Sequence, residues 1–316
     1  MTALWIALGI IIFLLLAVLI TAYVCFFRIF YYPPRRRKGG SLKSLPYGDI
    51  FAPYKEEMAD WIQRAGELPC KEVSVTSFDG LTLRGRYFEY APGAPIELLM
   101  HGYKGNSVRD LSGGIFRCFA LGRNALLVDH RSAGNSEGNV ITFGVNESRD
   151  CQTWANFIVR EIDPQSRIIL TGISMGAATV LMTASMDLPE NVKGIIADCP
   201  YDAPSNIIKK VLGTDMGMPV KFVYPLIRLG GMLYGKFNLD AASPVESVKE
   251  TKVPILLIHG NDDRFVPYDM SCNIHAANPD MIEFHTIKGA GHAMNYAAAP
   301  EEYTEIVKAF VKRVIE

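Results

Sequence analysis

Ser174 stands in Gly172-Ile173-Ser174-Met175-Gly176, after the apolar run 168–171 and before the helix-forming string AATVLM. A G-x-S-x-G motif at a strand-to-helix turn lifts the serine hydroxyl above a sheet edge, and its small residues let backbone pass close to backbone. The following helix aims its amino end at the same point, where developing negative charge is favoured. Such a serine suits nucleophilic attack on an acyl carbon, which requires a base, an acid to orient the base, and donors for an oxyanion. Of six histidines, His292 is the candidate base, lying among small residues in KGAGHAMN just after the last strand run. His101 and His259 each precede a glycine at a strand end and read as structural, while His130, His275 and His285 carry no signal. For the acid, LLIHGNDDRFVP offers Asp262 and Asp263, and Asp198 ends the preceding strand run. The order serine, acid, histidine along the chain suits this chemistry. Two backbone N–H groups are expected to hold the oxyanion: that of Met175, and that of Tyr103 between Gly102 and Gly105 in HGYKGN.

The elements that must position these residues are legible as an alternation. Runs 73–77 and 81–90 flank Asp79-Gly80, a strong hairpin signal. Short apolar runs at 96–100, 125–128, 168–171, 195–197, 253–258 and 282–287 suit strands buried on both faces of a parallel sheet. Helix-length segments lie near 107–121, 146–161, 175–186, 269–277 and 300–315, with a further short helix around Trp61. The expected fold class is therefore α/β, a mostly parallel central sheet with helices on both faces. Residues 203–243 interrupt the alternation with pieces dense in Phe, Tyr, Leu and Met, and are expected to form a helical cap insertion.

The chain of 316 residues is 49% hydrophobic with 32 basic against 33 acidic side chains, which excludes disorder and gives no electrostatic case for nucleic acid as a partner. From Thr2 to Phe27 no charge occurs, and at 1.5 Å per residue this run reaches about 39 Å, enough to cross a bilayer core of about 30 Å. The run exceeds a typical signal-peptide core and lacks a basic flank before it, so residues 1–28 are expected to be a retained transmembrane anchor. Arg28, Arg35, Arg36, Arg37 and Lys38 follow it, which predicts a basic juxtamembrane linker over 29–48 that touches anionic headgroups. The same asymmetry predicts that the large C-terminal domain, 49–316, faces the cytoplasm. The six cysteines include no C-x-x-C pair, and no H-E-x-x-H occurs, so neither a metal nor a cofactor is expected. The string GGMLYGK at 230–236 begins like a Walker A loop, but Phe237 replaces its Ser/Thr and no strand precedes it.

Taken together, HGYKGN, DHRSAGNSEG, GISMG, HGNDDRFVP and GAGHAMN resemble the α/β-hydrolase superfamily over roughly residues 70–316. Within it the chain is similar to membrane-anchored bacterial serine hydrolases of the esterase, lipase and serine-aminopeptidase-like group. The resemblance implies that Asp263 rather than Asp262 is the acid, that Tyr103 supplies the second oxyanion donor, and that Asp129, Arg131, Gly134 and Ser136 form a structural loop beside the pocket. It implies a Ser174–His292–Asp263 triad and an acyl-enzyme intermediate. The apolar cap and the anchor point to a hydrophobic acyl ester as the small-molecule substrate. A peptidase or thioesterase with the same triad, and a non-catalytic membrane-tethered binding protein on this fold, are the alternatives.

Overall fold

The computed structural model of the protein describes residues 1–37 and 51–315. Eight strands form one sheet: β1 (Lys71–Thr76), β2 (Thr82–Phe88), β3 (Ile96–Met100), β4 (Asn124–Val128), β5 (Ile168–Ile173), β6 (Val192–Asp198), β7 (Ile255–Gly260) and β8 (Ile282–Ile287). Their spatial order is β1-β2-β4-β3-β5-β6-β7-β8. The pairs β1–β2 and β2–β4 are antiparallel, and every other pair is parallel. Every residue of β3, β4 and β7 is buried, as expected where helices cover both faces. At the sheet centre a wholly buried Glu97 on β3 pairs with Arg117 and Arg123 and accepts from the Thr171 hydroxyl on β5 at 2.8 Å.

The helices are α1 (Thr2–Ile29), α2 (Lys55–Glu67), α3 (Ser107–Ala120), α4 (Glu147–Phe157), α5 (Met175–Thr183), α6 (Pro204–Lys210), α7 (Val220–Tyr234), α8 (Pro244–Ser247), α9 (Tyr268–Ala277), α10 (Asn295–Ala298) and α11 (Pro300–Ile315). Helix α3 starts where Asn106 accepts the Arg109 N–H at 2.9 Å, and Asp129 accepts the Ser107 N–H at 2.9 Å. The second bond joins the DHRSAGNSEG loop to the start of α3, directly after the HGYKGN loop. Arg131 holds that same loop against Asp79 and Asp150, and the Ser136 hydroxyl donates to the Asp129 carbonyl. These residues thus brace the loops around the strand ends.

Two expectations are revised. The segment 29–48 is not a free linker over its described part, because its aromatic residues have an apolar surface to bury. Phe30 and Tyr32 are buried, the Tyr32 N–H donates to the Asn139 carbonyl at 2.8 Å, and the Ile141 N–H donates to the Phe30 carbonyl at 2.8 Å. Arg37 is half-buried and donates to the carbonyls of Gly134, Ser136 and Gly138, so its guanidinium is engaged by the fold. Arg28, Arg35 and Arg36 are exposed, and Lys38 and the rest of the expected linker to residue 48 lie outside the described residues.

The insertion 203–243 holds α6 and α7, and α7 packs along the end of α1. Gly230 allows this approach: a β-carbon there would lie 2.4 Å from the Ala22 carbonyl oxygen. The Tyr234 hydroxyl donates to the Leu19 carbonyl at 3.1 Å, and its ring meets Tyr23 edge-on at 5.2 Å. One apolar cluster runs from Phe26 and Phe30 through Ile207, Ile208 and Ile227 to Met175, beside Ser174. Phe222, by contrast, is 71% exposed and covers no core.

Candidate active site

Ser174 occupies the turn between β5 and α5 with φ 56° and ψ −117°, a strained conformation for a residue with a side chain. The turn is tight enough to require its flanking glycines. A β-carbon on Gly172 would stand 2.1 Å from the Gly176 carbonyl oxygen, and one on Gly176 would stand 2.1 Å from that of Met100. The Ser174 N–H is already used, donating to the Asp198 carbonyl at 2.8 Å. Met175 begins α5, where the first backbone N–H groups lack partners within the helix.

His292 lies in the loop between β8 and α10, and its Nε2 is 2.8 Å from the Ser174 Oγ. Its Nδ1 is 2.7 Å from the Asp263 Oδ2. An ionised carboxylate only accepts, so Nδ1 carries the proton and Nε2 is left to accept from the serine hydroxyl. Three residues separated along the chain are thereby joined in one relay, and all three are buried.

Asp263 gathers four donors. Its Oδ1 accepts the N–H groups of Phe265 at 2.9 Å and Val266 at 2.8 Å, and its Oδ2 accepts from His292 and, at 3.1 Å, from His259 Nε2. Burial pushes this carboxyl up, but the bonds and charges of His259 and His292 outweigh it and hold it well below the usual carboxylate range. Asp262 points outward to Arg264 at 3.3 Å. Asp198 accepts from Asn295 Nδ2 at 2.6 Å, and burial pushes its carboxyl up. Neither Asp262 nor Asp198 reaches His292 by a hydrogen bond.

His259 was expected only to fill structure, yet it touches the acid. Its Nε2 faces both Asp263 Oδ2 and the Val266 carbonyl, so Nε2 is the donor, and Nδ1 accepts from the Ser271 hydroxyl at 2.6 Å. The available signal was its place four residues before Asp263 in a tight loop. His101 and His130 form a separate buried pair, with ring centroids 4.4 Å apart.

Tyr103 lies in the loop after β3, which borders the nucleophile: a β-carbon on Gly102 would stand 3.6 Å from Ser174 Cβ. The Tyr103 ring packs on Phe143 at 4.9 Å, and Lys104 takes φ 52° in the turn. As to metals, ligand atoms of Cys199, Asp263 and His292 lie within 4.8 Å of one another. Both Asp263 and His292 are already engaged, and burial pushes the Cys199 thiol well up, away from the thiolate a metal needs. The set fits acyl chemistry better than metal binding.

Comparison with known proteins agrees on the class. The chain is 25% identical over 191 residues to the uncharacterized protein YqkD of Bacillus subtilis, a match covering 60% of this chain and 63% of that protein. It is 24% identical over 205 residues to the lysophosphatidylserine lipase ABHD12 of Danio rerio, covering 61% of this chain and 50% of that one. Both matches thus span less than two thirds of the relative's own length. The solved esterase Pf2001 of Pyrococcus furiosus shares the fold with a TM-score of 0.65 at 22% identity, over 80% of this chain and 95% of that one. The fold is that of the α/β-hydrolase superfamily. The sequence model of the prolyl oligopeptidase family matches residues 141–316, more than half of the length and the part that carries Ser174, Asp263 and His292, and the chain belongs to that family.

Proposed function

We propose that the protein is a membrane-anchored serine hydrolase that cleaves a carboxylic ester with a hydrophobic acyl group. The observation that carries this reading is the relay from Ser174 Oγ to His292 at 2.8 Å and from His292 to Asp263 at 2.7 Å. In the proposed cycle His292 Nε2 takes the serine proton as Oγ attacks the acyl carbon, and the Met175 and Tyr103 N–H groups receive the oxyanion. His292 then returns the proton to the leaving alcohol. Water, activated by the same imidazole, releases the acid from the acyl-enzyme. Asp263 holds the Nδ1–H tautomer and stabilises the imidazolium.

The preference for an ester of apolar character draws support from the apolar cluster that joins Met175 to the cap. The Danio rerio lysophosphatidylserine lipase and the Pyrococcus furiosus esterase, by name, lean the same way. Membership of a family named for an oligopeptidase favours a second reading, a peptidase using the same residues. Fluorophosphonate labelling of the full-length chain tests the nucleophile: wild type should be labelled and Ser174→Ala should not. A panel of p-nitrophenyl esters of increasing chain length against aminoacyl amides then tests the leaving group, and turnover of the amides alone would replace the ester reading.

The anchor belongs to the proposal. Helix α1 is long and apolar enough to cross a membrane, with a mean hydropathy of 3.1 over an 18-residue stretch, as a signal sequence near the N-terminus also is. With Arg28, Arg35 and Arg36 exposed after the apolar run, the positive-inside rule puts the hydrolase domain in the cytoplasm and the bilayer among its partners. Protection of the C-terminal part from protease in right-side-out vesicles is the expected result, and its digestion would reverse the orientation.

A further inference from the structure

The last turn of a helix leaves carbonyl oxygens without partners in the helix, at the negative end of its dipole. In α1 these are accounted for one by one. The Phe26 carbonyl takes the N–H groups of Phe30 and Tyr31, and the Phe30 carbonyl takes that of Ile141. Arg36 donates to the Phe27 carbonyl at 3.4 Å, Lys104 Nζ to that of Arg28 at 3.3 Å, and the Tyr103 hydroxyl to that of Ile29 at 2.5 Å. Two of the three side-chain caps come from one place, the Gly102–Gly105 turn that borders Ser174.

The turn is also held from within the fold: its Gly102 carbonyl lies 2.7 Å from His101 Nδ1, and the Ser107 N–H just beyond it reaches Asp129 at 2.9 Å. The Gly105 N–H donates to the Gly102 carbonyl at 3.1 Å, and Lys104 sits at φ 52°, a conformation that side chains adopt only where surroundings enforce it. The Lys104 ammonium lies over the Tyr103 ring at 4.8 Å, so the two caps brace each other. The Tyr103 ring is wedged on Phe143, which in turn meets Phe30, just past the end of α1, edge-on at 5.8 Å. Burial pushes the Tyr103 phenol up, which keeps it a neutral donor.

We propose that the end of α1 is a working part of the active site: the Ile29 carbonyl, through the Tyr103 hydroxyl, holds the oxyanion loop in register with Ser174. Tyr103 is thus a positioning residue through its side chain as well as a donor through its amide. The inference rests on Ser174 being the nucleophile proposed above. Oxyanion donors act only at the right distance, and an error of about 1 Å can cost on the order of 100-fold in rate.

Tyr103→Phe keeps the ring and the amide and deletes the tether. In the full chain, reconstituted in nanodiscs, kcat on a p-nitrophenyl ester should fall about tenfold or more while KM stays within about twofold. Tyr234→Phe is the matched control, since it deletes an equivalent bond to α1, at Leu19, away from the loop, and should leave kcat unchanged. A readout independent of turnover is hydrogen–deuterium exchange over residues 101–106, which should quicken in Tyr103→Phe and not in Tyr234→Phe. An unchanged kcat with unchanged exchange in Tyr103→Phe overturns the proposal, as does an equal loss in Tyr234→Phe. Absence of serine labelling in wild type would instead strike the nucleophile, and the exchange data would still decide whether the tether holds the loop.

Discussion

Asp263→Asn isolates the part of the site whose geometry is most constrained. Four donors converge on the two carboxylate oxygens, two backbone N–H groups on Oδ1 and two imidazoles on Oδ2. An amide supplies one acceptor oxygen and one NH2, so in either orientation the NH2 faces donors. The backbone pair cannot change, and the amide oxygen will therefore stay with Phe265 and Val266. The NH2 then faces the imidazoles. His259 has the Val266 carbonyl at 3.0 Å as a second acceptor and can tolerate the change. His292 has no such reserve, and it meets the NH2 by moving its proton from Nδ1 to Nε2. That tautomer donates toward Ser174 and cannot accept its proton. The comparable aspartate-to-asparagine change in the Ser-His-Asp template lowers kcat by about 10⁴, or about 5.5 kcal/mol of transition-state stabilisation. The assay is kcat on a p-nitrophenyl ester with the rate of fluorophosphonate labelling, beside Asp262→Asn, whose carboxylate faces solvent on the same loop and whose change should stay within about twofold. A variant retaining more than about a tenth of wild-type kcat would refute the tautomer argument and remove Asp263 from its role.

Removing the second imidazole on the acid, in His259→Phe, should lower kcat by about tenfold, less than Asp263→Asn, because His292 keeps its partner; equal losses in the two variants would contradict this ranking. Gly230→Leu forces side-chain atoms into the 2.4 Å approach to the Ala22 carbonyl, and should cost about 2 kcal/mol, seen as a Tm several degrees lower in detergent. An unchanged Tm would show that α1 and α7 part freely. Burial lowers the imidazoles of His101 and His130 to about 4 and about 3. Because they stay neutral in the fold while unfolded histidine protonates near 6.5, stability is full above about pH 6.5 and falls as pH drops toward 4. The slope is up to about 1.4 kcal/mol per pH unit per imidazole. Urea midpoints between pH 7.5 and pH 5 measure it, His130→Gln should flatten the slope, and a wild-type midpoint indifferent to pH would exclude it.

What could be read from the chain was what local chemistry dictates. Gly172 and Gly176 announce a turn in which backbones pass too close for a side chain, and in the structure a β-carbon at either position would stand only 2.1 Å from a carbonyl oxygen. The strand runs were legible because β-α alternation with apolar segments leaves little choice of fold. Phe30, Tyr32 and Arg37 misled because Pro-Pro and four consecutive basic residues carry the composition of a linker, while three-dimensional neighbours at Asn139, Ile141 and Ser136 decide otherwise. His259 read as filler since a histidine before a glycine shows nothing of the carboxylate folding back onto it. Above all, the uniformly apolar α1 hides in one dimension which of its turns face α7 and Tyr103.

From Thr2 to Val18 every residue of α1 is exposed, a bare shaft of about 25 Å, whereas from Leu19 onward the same rod is clasped by Tyr234, Gly230 and Tyr103. Phe30 and Tyr32 are then clamped at once, so among the described residues no swivel separates shaft from body. Whatever medium grips that shaft also sets the bearing of the serine: tilting the rod tilts the whole enzyme, and the catalytic rim keeps a constant heading as the molecule drifts.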